Sequence, residues 1–117
     1  MQTIGAEING VDTEFVIRQY SNSLFVLITQ TGKTKNCIHI EKVSQGPADD
    51  QGFAPSEVVY KCTVKFGPDS LEDLAAVQYL SERVGFPDNT VLSICLTDHS
   101  PSTLTALVEI LLKNKVW

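Results

Sequence analysis

Apolar and polar residues alternate with a period of two along most of the chain up to Phe66, and twice after it the period lengthens to that of a helix. Ile4, Ala6 and Ile8 alternate with polar neighbours. Asn9-Gly10 supplies the two residues that tolerate positive φ in a type I′ turn, and Val11, Thr13, Phe15 and Ile17 alternate on the way back. The pattern predicts a hairpin with Ile8 opposite Val11 and Ile4 opposite Phe15, its apolar residues gathered on one face. Thr3, Glu7, Asp12, Glu14, Val16 and Arg18 then share the other face, where the like charges of Glu7 and Asp12 stand opposite each other.

Residues 23–30 break the alternation, because Phe25 and Leu27 are as apolar as Leu24, Val26 and Ile28 between which they lie. A strand of this kind is covered on both faces. Thr31-Gly32-Lys33 turns the chain into a fourth strand over 35–43, in which Ile38 and Ile40 alternate with Cys37, His39 and Glu41. The length of that turn leaves the register beyond Gln30 open. Residues 44–56, with Gly46-Pro47, Asp49-Asp50, Gly52 and Pro55, read as a long mobile loop. Val58, Tyr60, Cys62, Val64 and Phe66 next predict a strand with one core face, and Val59, Lys61, Thr63 and Lys65 point the other way.

Gly67-Pro68-Asp69 ends that strand. Ser70-Leu71-Glu72-Asp73 resembles a capping box opening a helix through Leu74, Val77, Leu80 and Val84, which Gly85 stops. A last strand follows, with Leu92, Ile94 and Leu96 on its core face and Val91, Ser93, Cys95 and Thr97 opposite. Ser100 and Pro101 then suit the N-cap and first position of a second helix, whose stripe of Leu104, Leu107, Val108 and Leu111 is widened by Ile110 and Leu112. The order β-β-β-β-β-α-β-α predicts an α+β fold, a mainly antiparallel sheet of about six strands with two helices packed on it. Two helices cover one face of such a sheet. Phe25 and Leu27, with Val16 beside them, are left on the other, so either the sheet bends over itself or another chain completes the core; Phe25, Leu27 and Val16 are the expected interface.

Composition narrows the classes. A chain of 117 residues, 43% hydrophobic and 20% charged, suits a single domain over 1–117. A net charge of −5 speaks against a surface made for phosphate backbones, so no nucleic acid is expected. Three cysteines without close pairing, no membrane-length apolar run and a strand-like opening in place of a signal peptide point to a reducing compartment, the cytoplasm or the nucleus, with no membrane partner. Lys33, Lys35, Lys61 and Lys65 read as the wet side of strands, with a protein-docking patch as the alternative.

Motifs for chemistry do not hold up. Thr31-Gly32-Lys33-Thr34 resembles the tail of a phosphate-binding loop, but Leu27 stands where the motif needs glycine and a strand follows where it needs a helix. Asp98-His99-Ser100 contains the residue types of a hydrolase triad, yet consecutive residues do not converge as that mechanism requires, and a turn with a helix cap accounts for them. His39 and His99 lack ligand spacing, and Glu72 and Asp73 suit the positive end of a helix. No catalytic residue, cofactor or metal is expected.

The stretch Ser23-Leu24-Phe25-Val26-Leu27-Ile28-Thr29-Gln30-Thr31-Gly32-Lys33 and the closing strand-helix unit with its tail Lys115-Val116-Trp117 resemble the proteasome assembly chaperone 3 family. The resemblance in element order runs over nearly the whole chain. It implies a non-catalytic chaperone of 20S proteasome biogenesis that pairs with a related small chaperone, proteasome assembly chaperone 4. It also implies transient binding of α-type subunits, the type-5 subunit in particular, so that they join the α-ring in order. Self-association of the isolated chain, a generic sheet-dimerising adaptor and a small-ligand or lipid carrier remain as alternatives. Trp117 is expected to plug an apolar gap in its own domain.

Overall fold

The computed structural model describes residues 2–45, 57–68 and 70–117. The elements follow the predicted order: β1 (Gln2–Ile8), β2 (Val11–Gln19), β3 (Leu24–Thr29), β4 (Cys37–Gln45), β5 (Glu57–Phe66), α1 (Leu71–Val84), β6 (Thr90–Cys95) and α2 (Pro101–Lys113). Asn9 at φ 51° and Gly10 at φ 80° make the tight turn, and the predicted hairpin register holds at Ile4 opposite Phe15, Glu7 opposite Asp12 and Ile8 opposite Val11. β4 reaches Gln45, two residues into the stretch expected to be loop. The rest of that expectation, residues 46–56, lies outside the described residues.

The sheet order is β1-β2-β3-β6-β4-β5. The turn after β3 therefore does not pair β3 with β4. β6 enters between them, parallel to β3 with Val26 opposite Leu92, and antiparallel to β4 with Ile38 opposite Leu92. The sheet is thus mixed, with its most apolar strands at the centre. That arrangement follows from burial, since Val26, Ile28, Leu92, Ile94, Ile38 and Ile40 are all fully buried and a central strand loses no backbone partner to solvent.

The fully buried apolar strand residues lie on one face of the sheet, and they form a single cluster with Val77, Leu80, Leu107 and Leu111 of the helices. Both helices therefore lie on one face. α1 packs against β5, β6 and α2. The Asn9 amide donates to the hydroxyls of Ser102 and Thr103, each at 2.9 Å, and Gln2 Nε2 donates to Asn114 Oδ1 at 3.2 Å, so α2 lies along the β1 side. The helix ends match their sequence signals. Ser70 Oγ accepts from the Asp73 amide, Ser100 Oγ from the Thr103 amide, and Gly85 closes α1 at φ 73°, a conformation that favours glycine.

Two apolar expectations change. Phe66 is 75% exposed, because β4 and β5 slip register between Cys37 and Ile38 and carry the strand end out of phase with the core. Leu112 is 46% exposed, since the stripe of α2 that meets the core is filled by Leu107, Val108 and Leu111. Trp117 lies back on the domain, its ring centroid 5.6 Å from that of the fully buried Phe86, and its Nε1–H donates to the Gly85 carbonyl at 3.1 Å.

Candidate functional site: the helix-free face of the sheet

Strand geometry puts every second side chain opposite the helices. On β3 these are Phe25 and Leu27. Register brings Val16 of β2 to one side of Leu27 and Ser93 of β6 to the other, while Arg18 and Val91 flank Phe25 in the next row and His39 of β4 follows Val91. Val16, Phe25, Leu27 and Val91 are each half-buried. They touch their neighbours in the sheet, but among the described residues no helix lies over them.

Ser93 sits at the centre of this face, 4% exposed. Its Oγ is a buried side-chain polar atom without a hydrogen-bond partner among the described residues. An unmade bond at such a site costs about 1–3 kcal/mol. Charge surrounds the apolar centre unevenly. Glu7, Asp12 and Glu14 project from the hairpin end of β1 and β2, whereas Lys61 and Lys65 project from β5 at the opposite edge. His39 closes the lower side, with Nε2 2.8 Å from Asn89 Oδ1 and Nδ1 3.5 Å from Glu41 Oε1.

Phe25, Leu27 and Val16, singled out from the alternation alone, thus share one patch. Val91 and Ser93 extend it. Their outward parity was legible in the sequence, but their place beside Phe25 and Leu27 depends on β6 entering the sheet between β3 and β4.

The polar groups on the helix side form joints. Asp73 is 1% exposed and takes Lys35 Nζ at 2.7 Å, His99 Nε2 at 2.8 Å and Asn36 Nδ2 at 3.3 Å. Its carboxylate does not reach back to the cap residue as a capping box requires. Asn36 uses its other side-chain atom, Oδ1, to accept the Ile94 amide at 2.9 Å, which satisfies β6 just where β4 has yet to begin. The hydrogen bond to Asp73 raises the Lys35 pKa above its ordinary 10.5, so Lys35 leaves the lysine group read as solvent-facing.

Asp98, His99 and Ser100 diverge, as consecutive residues should. His99 turns to Asp73, while Asp98 Oδ2 accepts from Thr103 Oγ1 at 2.6 Å and from Ser100 Oγ at 3.0 Å. These bonds, that from Thr103 foremost, hold the Asp98 carboxyl below its ordinary 3.8. His39 and His99 belong to separate networks. Among the described residues no group of three or more His, Cys, Asp or Glu side chains is placed to hold a metal. Burial pushes the Cys62 thiol pKa up, which makes it a weaker nucleophile.

A mixed sheet with both helices on one face leaves an apolar patch on the other, and such patches mark interaction surfaces. The chain belongs to the proteasome assembly chaperone 3 family, whose sequence model matches residues 26–114. It is accordingly a proteasome assembly chaperone. A chain in the crystal structure of a chaperone complex for yeast 20S proteasome assembly has the same fold, with a TM-score of 0.70, 10% sequence identity and 92% of each chain covered. No curated protein matches the chain by sequence.

Proposed function

We propose that this chaperone acts on the α-ring of the 20S proteasome, working as a dimer with a related small chaperone of the proteasome assembly chaperone 4 kind. It holds α-type subunits, the type-5 subunit in particular, and leaves before the particle matures. The helix-free face carries the reading. A patch of Val16, Phe25, Leu27 and Val91 around a Ser93 hydroxyl without a partner among the described residues is half-buried in the single chain and gains cover from a second sheet packed face to face. The fold shared with a member of a chaperone complex for yeast 20S proteasome assembly supports the pairing.

The mechanism needs no catalytic group. A pair that covers one surface of an α-type subunit excludes the wrong neighbours and favours one order of addition. Release then follows when later subunits compete for the same surface. The cytoplasm and nucleus are the compartments this work requires.

Affinity purification of the chain from cells, followed by mass spectrometry, tests the reading. The expected co-purifying chains are a related small chaperone and α-type subunits in incomplete rings, without mature particles. Recovery of mature proteasomes and no α-subunit intermediates would sink it.

A further inference from the structure

On the side of the molecule away from the helix-free face, α1 and α2 leave a cleft of about 390 Å³ between their first turns. Ala75 and Tyr79 of α1 and Pro101 and Leu104 of α2 form apolar walls, with Glu72 and His99 at one end. The opening exists because Ala75 has too little side chain to fill the space between the helices. Leu71, one turn earlier on the same stripe of α1 and 84% exposed, extends the apolar surface beyond the mouth. Its volume is at the small end of ligand sites, enough for one long side chain.

The polar end is specific in a way the walls are not. His99 Nε2 faces the Asp73 carboxylate at 2.8 Å, and a carboxylate only accepts, so Nε2 carries a proton. Its Nδ1 stands 3.7 Å from Glu72 Oε2, beyond hydrogen-bond distance, and 77% of the Glu72 side chain is exposed. An exposed carboxylate therefore stands at the end of an apolar slot, and no donor among the described residues hydrogen-bonds to Glu72.

The geometry points to this cleft as a docking slot for a lysine or arginine side chain of a polypeptide partner. The aliphatic stem lies along Ala75, Tyr79 and Leu104, and the cationic head donates to the Glu72 carboxylate. Charge favours this occupant, because Asp73 holds Lys35 at 2.7 Å while the exposed Glu72 carboxylate has His99 Nδ1 only at 3.7 Å, and the chain as a whole carries −5. The exposed Leu71 beside the mouth suits a folded surface around the basic residue better than a free amine. Resting on the reading of the chain as an α-subunit chaperone, the surface that presents this side chain belongs to an α-type subunit. The two sides of the molecule then take different partners, the sheet face a chaperone and the helix cleft a client.

The slot is tested with the full ¹⁵N-labelled chain, titrated with N-acetyl-lysine methylamide, its arginine counterpart and its norleucine counterpart. The lysine or arginine probe is expected to shift the Ala75, Tyr79 and His99 amides saturably, with norleucine at least ~10-fold weaker, as loss of a charge-assisted hydrogen bond predicts. Glu72→Gln and Ala75→Leu, both at exposed positions and checked for unchanged circular dichroism, are expected to remove the response. No saturable shift with either basic probe overturns the proposal. Equal affinity for norleucine overturns it in favour of a purely apolar anchor, and concentration-dependent shifts of the same amides without any probe in favour of a second copy. A parallel binding assay uses purified type-5 α-subunit, to which Glu72→Lys is expected to bind at least ~10-fold more weakly than the unchanged chain. Unchanged subunit binding by Glu72→Lys overturns the assignment of the client. If the unchanged chain binds no α-type subunit, the functional reading falls, and the probe titration still decides the slot.

Discussion

Asp73 shows how far a single residue departs from its local signal. Its position in the first turn of α1 reads as an acid placed at the positive end of a helix dipole, which describes an exposed carboxylate worth a few tenths of a kcal/mol. Instead it is buried and joins the segment before β4, through Lys35 and Asn36, to the segment before α2, through His99. A buried carboxylate that loses a partner retains its desolvation penalty. Lys35→Met is therefore expected to destabilise the fold by about 1–3 kcal/mol in urea denaturation, the remaining partners limiting the loss. Adding Asp73→Asn should recover part of that loss; a purely additive double variant would show that the pair is not coupled.

Asp98 works at the same scale and sets a pH dependence. Its carboxyl lies below 3.8 in the folded chain, so the protonated form is disfavoured by folding. The stability it contributes is present above the unfolded value and disappears as pH falls from about 3.8 through the lower folded value. Between neutral pH and pH ~3 the unchanged chain should lose more stability than Asp98→Asn, measured by urea midpoints across the series. Equal losses would remove Asp98 from the acid response.

Among the elements, α2 and its tail behave as a unit closed on the domain. Ser100, Pro101 and the Leu107, Val108 and Leu111 stripe announce this helix in the sequence, and the structure buries that stripe. Trp117 then seals the far end through Phe86 and the Gly85 carbonyl, beside the left-handed stop of α1. Removing a half-buried indole leaves a cavity and an unpaired carbonyl, so Trp117→Ala should cost about 1–3 kcal/mol and lower the melting temperature. A variant of unchanged stability that fails to bind a partner would instead make Trp117 a contact residue. β5 shows the opposite relation between pattern and element. Its alternation runs unbroken to Phe66 in the sequence, but a register slip beside Cys37 turns that last ring to solvent, and no local signal marks the slip.

For the whole molecule, the decisive event is the entry of β6 between β3 and β4. It brings Val91 beside Phe25 and Ser93 beside Leu27, turning an apolar stripe on one strand into a patch several strands wide. Because these positions face away from the helices, charge placed there should weaken partner binding far more than folding. Leu27→Glu is expected to raise the dissociation constant for a paired chaperone by at least ~100-fold, about 2.7 kcal/mol, as for a central interface residue. Its thermal midpoint as a single chain should stay within about 3 °C of the unchanged protein, which corresponds to less than ~1 kcal/mol. Retained pairing with that variant would move the interface off this face.

The sequence alone determined the element types, their order, the hairpin register, the helix ends and the parity of the strands except at the end of β5, because those depend on neighbours along the chain: period, turn residues and caps. It also placed Val16, Phe25 and Leu27 away from the helix-covered core. Only the tertiary structure decided which strands lie side by side, that β3 and β6 run parallel, that Asp73 is a buried joint, and that Glu72 and His99 meet at the end of an apolar cleft. Those depend on pairings between residues far apart in the chain, set by burying the most apolar strands at the centre of the sheet, and neither periodicity nor spacing records which distant partners will meet.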